Sequence, residues 1–143
     1  MNDLFTVKLD SNGNLLWART MSAVGPQYIW NSIIAPQGGV VAYGTFDASI
    51  SFDPVGGTDL RANLGGADGY LVSLKADGSY GFSRVLSTSG DDAVNNVHVT
   101  GNAASGYTLY VSGSIGAPLD LAPYGWPGTV PAGEVIIATP FPP

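Results

Sequence analysis

The sequence predicts an all-β protein assembled from a repeated unit of short antiparallel strands. Three observations carry that prediction. Apolar residues alternate with period two, Gly and Pro punctuate the chain at short intervals, and whole segments recur at one constant offset.

The repeat is read directly from the residues. Asp3-Leu-Phe-Thr-Val-Lys-Leu9 matches Asp68-Gly-Tyr-Leu-Val-Ser-Leu74, and each is followed by a turn, Asp10-Ser-Asn-Gly13 and Lys75-Ala-Asp-Gly78. The register then holds without a gap, pairing Trp17 with Phe82, Arg19 with Arg84 and Gly25 with Gly90. Beyond it, Asn31-Ser-Ile-Ile-Ala35 matches Asn95-Asn-Val-His-Val99 with a small shift, which pairs His98 with Ile34. Val40 to Phe46 matches Leu109 to Ile115, and a third copy starts at Glu134-Val-Ile-Ile-Ala138, in the position of Asp68 to Leu74.

Each element follows from its pattern. Phe5, Val7 and Leu9 share one face and Leu4, Thr6 and Lys8 the other; Tyr70, Val72 and Leu74 repeat this. That alternation is strand, and no window has the i, i+3, i+4, i+7 spacing of an amphipathic helix. A full unit therefore has four strands, at about 30–35, 39–46, 68–74 and 79–87. The next unit begins with 95–99 and 108–115, and strands 3–9 and 14–21 are the last two of a preceding unit. Residues 1–143 form one repeat domain: 1–29 hold those two outer strands, 30–94 a full unit and 95–143 a partial unit with a Pro-rich end. The long link from Asp47 to Ala67 carries a short hairpin, Ser49–Phe52 against Asp59–Ala62.

Composition bounds the function. Hydrophobic residues make up 45% of the chain and charged residues 11%, less than half the usual share. The net charge is −6, and the five basic residues stand singly at positions 8, 19, 61, 75 and 84. Without a basic patch, nucleic acid is not expected as a partner. There is no Cys, so disulfides and thiolate metal sites are excluded. The N-terminus lacks the basic and apolar regions of a signal peptide, and no apolar run reaches the length of a membrane span.

The pattern Asp-Xaa-Phe/Tyr-Xaa-Val-Xaa-Leu, then Gly-Asn-Leu-Leu-Trp, then Val-Xaa-Tyr-Gly-Thr, resembles the bacterial β-propeller repeat family abbreviated SBBP. Asp3, Phe5, Val7, Leu9, Gly13, Asn14, Leu16, Trp17 and Gly44 carry the likeness in the first copy. Asp68, Tyr70, Val72, Leu74, Gly78, Phe82, Gly90, Asp91, Asp92 and Gly113 carry it in the second. The resemblance implies four-stranded antiparallel β-propeller blades and an extracellular or cell-surface bacterial protein. It implies no shared catalytic residues. About two blades are present, whereas a closed propeller has typically 4–8. The expectation is an open fragment of a longer protein, or one protomer of an assembled propeller.

Site candidates are few. Asp10, Asn12 and Asn14 place oxygens at alternate positions, as half of a calcium loop would, and as a hairpin turn with Gly13 at positive φ would; the turn is the expectation. Asp91 and Asp92 form a carboxylate pair that suits a cation, acid–base chemistry or a structural loop, the last being favoured. The single His, His98, reads as a strand-face residue on the side opposite Val97 and Val99. Arg19 and Arg84 are expected to reach Asp3 and Asp68 in a repeated surface ion pair worth about 0–1 kcal/mol, with a cation–π contact to the neighbouring unit as the alternative. Tyr28, Trp30, Tyr124 and Trp126 lie near loops, where aromatics bind sugars or seal contacts between units.

No cofactor is expected, and one His with no Cys gives no hydrolytic constellation. The expected function is a non-catalytic structural or protein-interaction module of a bacterial surface or secreted repeat protein. Its partners are further repeats or copies of itself. The alternatives are a self-assembling subunit of a ring or extracellular fibre, and a carbohydrate-binding module that uses the loop aromatics on a glycan.

Overall fold

The computed structural model describes residues 3–56, 58–122 and 128–142. Its described residues are strands, turns and short loops, with no α-helix.

Three antiparallel sheets follow one another along the chain. The first is a hairpin of β1 (Leu4–Leu9) and β2 (Leu15–Met21). The second has four strands in chain order: β3 (Gln27–Ile34), β4 (Val40–Phe46), β7 (Asp68–Leu74) and β8 (Tyr80–Leu86). The third has β9 (Ala93–Asn102) and β10 (Gly106–Ile115), with β13 (Gly133–Pro140) on the other side of β10. In the second sheet the link between β4 and β7 folds into a short hairpin, β5 (Ile50–Ser51) with β6 (Leu60–Arg61). The same place in the third sheet holds β11 (Leu119–Asp120) with β12 (Thr129–Val130).

The sheets stack face to face through two apolar seams. Alternation along the strands of the middle sheet sends Ala42, Phe46, Tyr70, Val72 and Val85 to one face, where they meet Leu4, Trp17 and Met21 of the first hairpin. Val41, Tyr43, Leu71, Phe82 and Leu86 point the other way, into Val94, Val97, Leu109, Val111, Val135 and Ile137 of the third sheet. The short hairpins plug the seams, Ile50 and Phe52 one and Leu119 and Leu121 the other. Phe52 stacks on Tyr70 at 4.8 Å, and Phe46 meets both rings edge-on.

Strand register makes the repeat finer than the sequence match. A β-bulge falls at Trp30, and another at Asn95, its counterpart one repeat on; a second pair falls at Leu16 and Gly81. Gly44 and Gly113 serve the first pair, because a Cβ on either would land on a strand carbonyl, that of Tyr28 or of Ala93.

Two alignments are corrected. Gly44 faces Tyr70 on β7 and Gly113 faces Val135 on β13, so Gly133, not Glu134, stands in the place of Asp68. Val41 faces Ile33 and Tyr110 faces His98, so the counterpart of His98 is Ile33, not Ile34. Both places then keep the same offset that separates Gly13 from Gly78, since the longer β9–β10 turn is balanced by a shorter link before β13.

Candidate functional site

The turn after β1 is closed by its own acid. Asp10 Oδ1 accepts from the backbone N–H of Asn12 and of Asn14, both at 2.8 Å, and Oδ2 accepts from the Asn14 amide at 2.8 Å. Gly13 takes φ 84°. The Asn14 side-chain bond, followed by the backbone bonds, holds the Asp10 carboxyl below its ordinary range. In the second copy the acid has moved two positions along: Asp77 Oδ1 accepts from Ser79 N–H at 2.9 Å and its hydroxyl at 2.6 Å, beside Gly78 at φ 79°. Each carboxylate accepts hydrogen bonds from its own turn. Among the described residues no three His, Asp or Glu side chains converge as ligands of a metal would.

Asp91 and Asp92 separate in role. Asp91 is exposed and accepts from Ala67 N–H at 3.1 Å. Asp92 is buried where β8 hands over to β9. It accepts from Thr88 N–H at 2.6 Å, from the Thr88 hydroxyl at 2.9 Å and from Gly116 N–H at 2.9 Å. One side chain thus ties the exit of the middle sheet to the end of β10 in the third. Its neighbour Asp68 is buried too, accepting from Ser87 Oγ at 2.7 Å and Leu64 N–H at 2.8 Å. Burial pushes the Asp68 carboxyl up, against its two hydrogen bonds, and the nearby Asp92 adds to the rise.

The arginine expectation is corrected. Arg19 faces Thr6 across the hairpin, and Arg84 faces Leu71, so neither is opposite the acid three positions away. Arg19 donates to the carbonyls of Gly78 at 2.7 Å and Ala18 at 2.8 Å, and Arg84 to that of Ser83 at 2.8 Å. Their guanidinium carbons lie 5.9 Å from the ring of Trp17 and 5.2 Å from that of Phe82, each on the same strand rather than in a neighbouring unit.

Tyr28 and Trp30 both lie on β3 and both are about half exposed. Trp30 occupies the bulge, and Tyr28 lends its carbonyl to the hydroxyl of Tyr70 at 3.2 Å. Tyr124 and Trp126 lie outside the described residues. His98 is exposed on the outer face of the third sheet, with Val97 pointing into the seam.

Three further features bear on function. Asp59 pairs with Arg61 at 2.8 Å and accepts from the Tyr80 hydroxyl at 2.6 Å and from Ser83 Oγ, pinning the β5–β6 hairpin to β8. Burial, then the bond to Asp59, raises the Tyr80 phenol. A cleft of about 540 Å³ opens at the turn end of the second seam, between the β7–β8 turn and the residues after β13. Finally, the outer face of the first hairpin is bare: Phe5, Val7 and Leu9 are 69%, 43% and 53% exposed, while their counterparts Tyr70, Val72 and Leu74 are buried. No protein-family model, curated protein or solved structure matches the chain.

Proposed function

We propose that the chain is a non-catalytic structural and protein-interaction module, a set of propeller-type blades that functions by stacking against further sheets of its own kind. The observation that carries the reading is the bare outer face of the first hairpin. By the repeat, Phe5, Val7 and Leu9 hold the positions through which the middle sheet receives its neighbour. The outer face of the third sheet is different, with Ser112, Ser114, His98 and Glu134 around Tyr110 and Ile136. An apolar outer face is what a unit with a stacked neighbour on that side needs.

Magnitudes say how the bare face is covered. Fully burying three such side chains is worth roughly 1.5–3 kcal/mol each, less here because they are already partly covered. Free association costs about 4–15 kcal/mol. Three side chains alone make a weak dimer, and a neighbour linked in the same chain or assembly makes a firm seam. The polar side chains fit the same reading. Asp10, Asp59, Asp68, Asp77 and Asp92 are spent on turn amides, hydroxyls and an arginine that hold strands and sheets in place. The SBBP-type resemblance supports propeller blades on a bacterial surface or secreted protein, and a self-assembling ring or fibre uses the same bare face.

Light scattering over a wide concentration range tests the proposal. Reversible self-association is expected at high concentration, and Phe5→Lys should abolish it while leaving the monomer folded. A strictly monomeric protein up to millimolar concentration, with Phe5→Lys indistinguishable from it, would sink the reading.

A further inference from the structure

The two seams share a plan but are filled differently at their turn ends. In the first seam Trp17 lies against Gly78, so closely that a Cβ there would come within 2.7 Å of the indole. The indole Nε1–H donates to the carbonyl of Ala76 at 3.0 Å. Lys8, directly across the hairpin from Trp17, donates from Nζ to the carbonyls of Gly38 at 3.1 Å and Ala76 at 2.9 Å. A flat ring and N–H donors therefore plug this end of the seam against turn carbonyls.

In the second seam the counterparts of Trp17 and Lys8 are Phe82 and Ser73. Phe82 brings a smaller ring with no donor, and Ser73 stops far short of a lysine. On the opposing side Phe141 replaces Ala76 and meets Phe82 edge-on at 5.3 Å, and the longer β9–β10 turn carries Tyr107 to the same place. What remains between these aromatic walls is the cleft of about 540 Å³, within the range of small-molecule sites. Lys75 and Gln37 line it too. Gln37 has φ 63°, the sole positive value at a non-glycine among the described residues, the kind of backbone strain that clusters at ligand sites.

We propose that this cleft binds an indole-type group, a planar aromatic ring carrying an N–H donor, beside the smaller Phe82 ring that stands where the Trp17 indole does in the other seam. Phe82, Phe141 and Tyr107 supply ring edges and faces, Lys75 supplies a cation for the exposed π-face, and turn carbonyls accept the N–H. The ring arrives either as a free small molecule or as the tryptophan of a peptide.

An NMR titration of the isotope-labelled chain tests this with three probes: indole, benzothiophene, which has the same shape without the N–H, and N-acetyltryptophanamide. Saturable shifts are expected at Ser73, Phe82, Tyr107 and Phe141, with benzothiophene about tenfold weaker than indole, one hydrogen bond's worth. Tighter binding of indole identifies a free ligand, and tighter binding of N-acetyltryptophanamide a peptide side chain. Phe82→Trp and, separately, Ser73→Lys install the residues of the other seam and should each weaken indole at least tenfold. The proposal is overturned by the absence of saturable shifts, by equal binding of benzothiophene, or by unchanged binding in the folded variants. Should Phe82→Trp fail to fold, Ser73→Lys alone decides.

Discussion

Removing the Asp92 carboxylate should uncouple the middle and third sheets. Asp92→Ala deletes three hydrogen bonds at once, to Thr88 N–H, the Thr88 hydroxyl and Gly116 N–H. Bonds to a charged acceptor are worth about 1.5–3 kcal/mol each, but they are not lost independently. The hydroxyl can rotate to another acceptor, whereas two backbone N–H groups stay fixed, and each unsatisfied donor costs about 1–3 kcal/mol. Relief of repulsion with Asp68 returns a part, since Asp92 contributes to the raised Asp68 carboxyl. The net loss should be about 3 kcal/mol. With a urea slope of about 1.5 kcal/mol/M, a value inside the range of small proteins, the unfolding midpoint should fall by about 2 M. Asp92→Asn keeps one acceptor oxygen and should lose about half as much. A loss below about 1 kcal/mol for the alanine variant, or equal losses for the two, would refute the reasoning that these bonds carry the junction.

Two further outcomes follow from the same physics. Burial raises the Asp68 carboxyl, so the native chain holds its proton more tightly than the unfolded chain does. Its contribution to stability is full below the unfolded value of about 3.9 and is lost as pH rises through the higher native value. Asp68→Asn should therefore gain on the parent protein as pH rises above about 4 in paired urea titrations; a variant that loses ground as pH rises contradicts the sign. Gly44→Ala and Gly113→Ala place a Cβ on the carbonyl of a bulged strand and should cost about 2–4 kcal/mol each. Gly13→Ala meets nothing within 4 Å and should cost only the left-handed backbone, about 1–2 kcal/mol, so equal losses by thermal unfolding would deny the bulge its role.

Strand positions were legible from the period-two alternation of side chains, although β4 and β7 are buried on both faces. Phe5, Val7 and Leu9 and their counterparts Tyr70, Val72 and Leu74 announce the strand equally, whether or not the face is covered. The short hairpin in the link was legible for the same reason, through Ile50 and Phe52. Legibility failed where a bulge changes parity. Trp30 interrupts β3, so the strand reads as starting near residue 30, although pairing begins at Gln27. It failed again where chemistry misled alignment: Glu134 resembles Asp68 and Gly133 does not, yet only the backbone register decides. The arginines were expected to lie near Asp3 and Asp68 across the hairpin, but pairing places Arg84 opposite Leu71 and leaves Asp68 to Ser87 and Leu64. The cleft was invisible, because it is a property of two layers and of the difference between Trp17 and Phe82 at one repeated position.

That difference shows where a stacked repeat is free to vary. Positions that set the path of the chain within a sheet do not drift: the bulges at Trp30 and Asn95 recur one repeat apart, and Gly44 and Gly113 stand at the same crossing because any side chain would strike a carbonyl. Residues that join one sheet to the next drift widely. Trp17 and Lys8 become Phe82 and Ser73, Ala76 becomes Phe141, and Gln27 stands where Asp92 makes its three bonds. The backbone plan needs only itself, so its constraints are the same in every copy. A seam needs two faces to agree, so each pair of neighbours can settle on its own solution, and any mismatch left over becomes a cavity or a bare face. The cleft beside Phe82 and the uncovered Phe5, Val7 and Leu9 are two such mismatches among the described residues. By this argument substitutions that retune partner or ligand belong at seam positions, and those at the bulge glycines should only unfold the sheet.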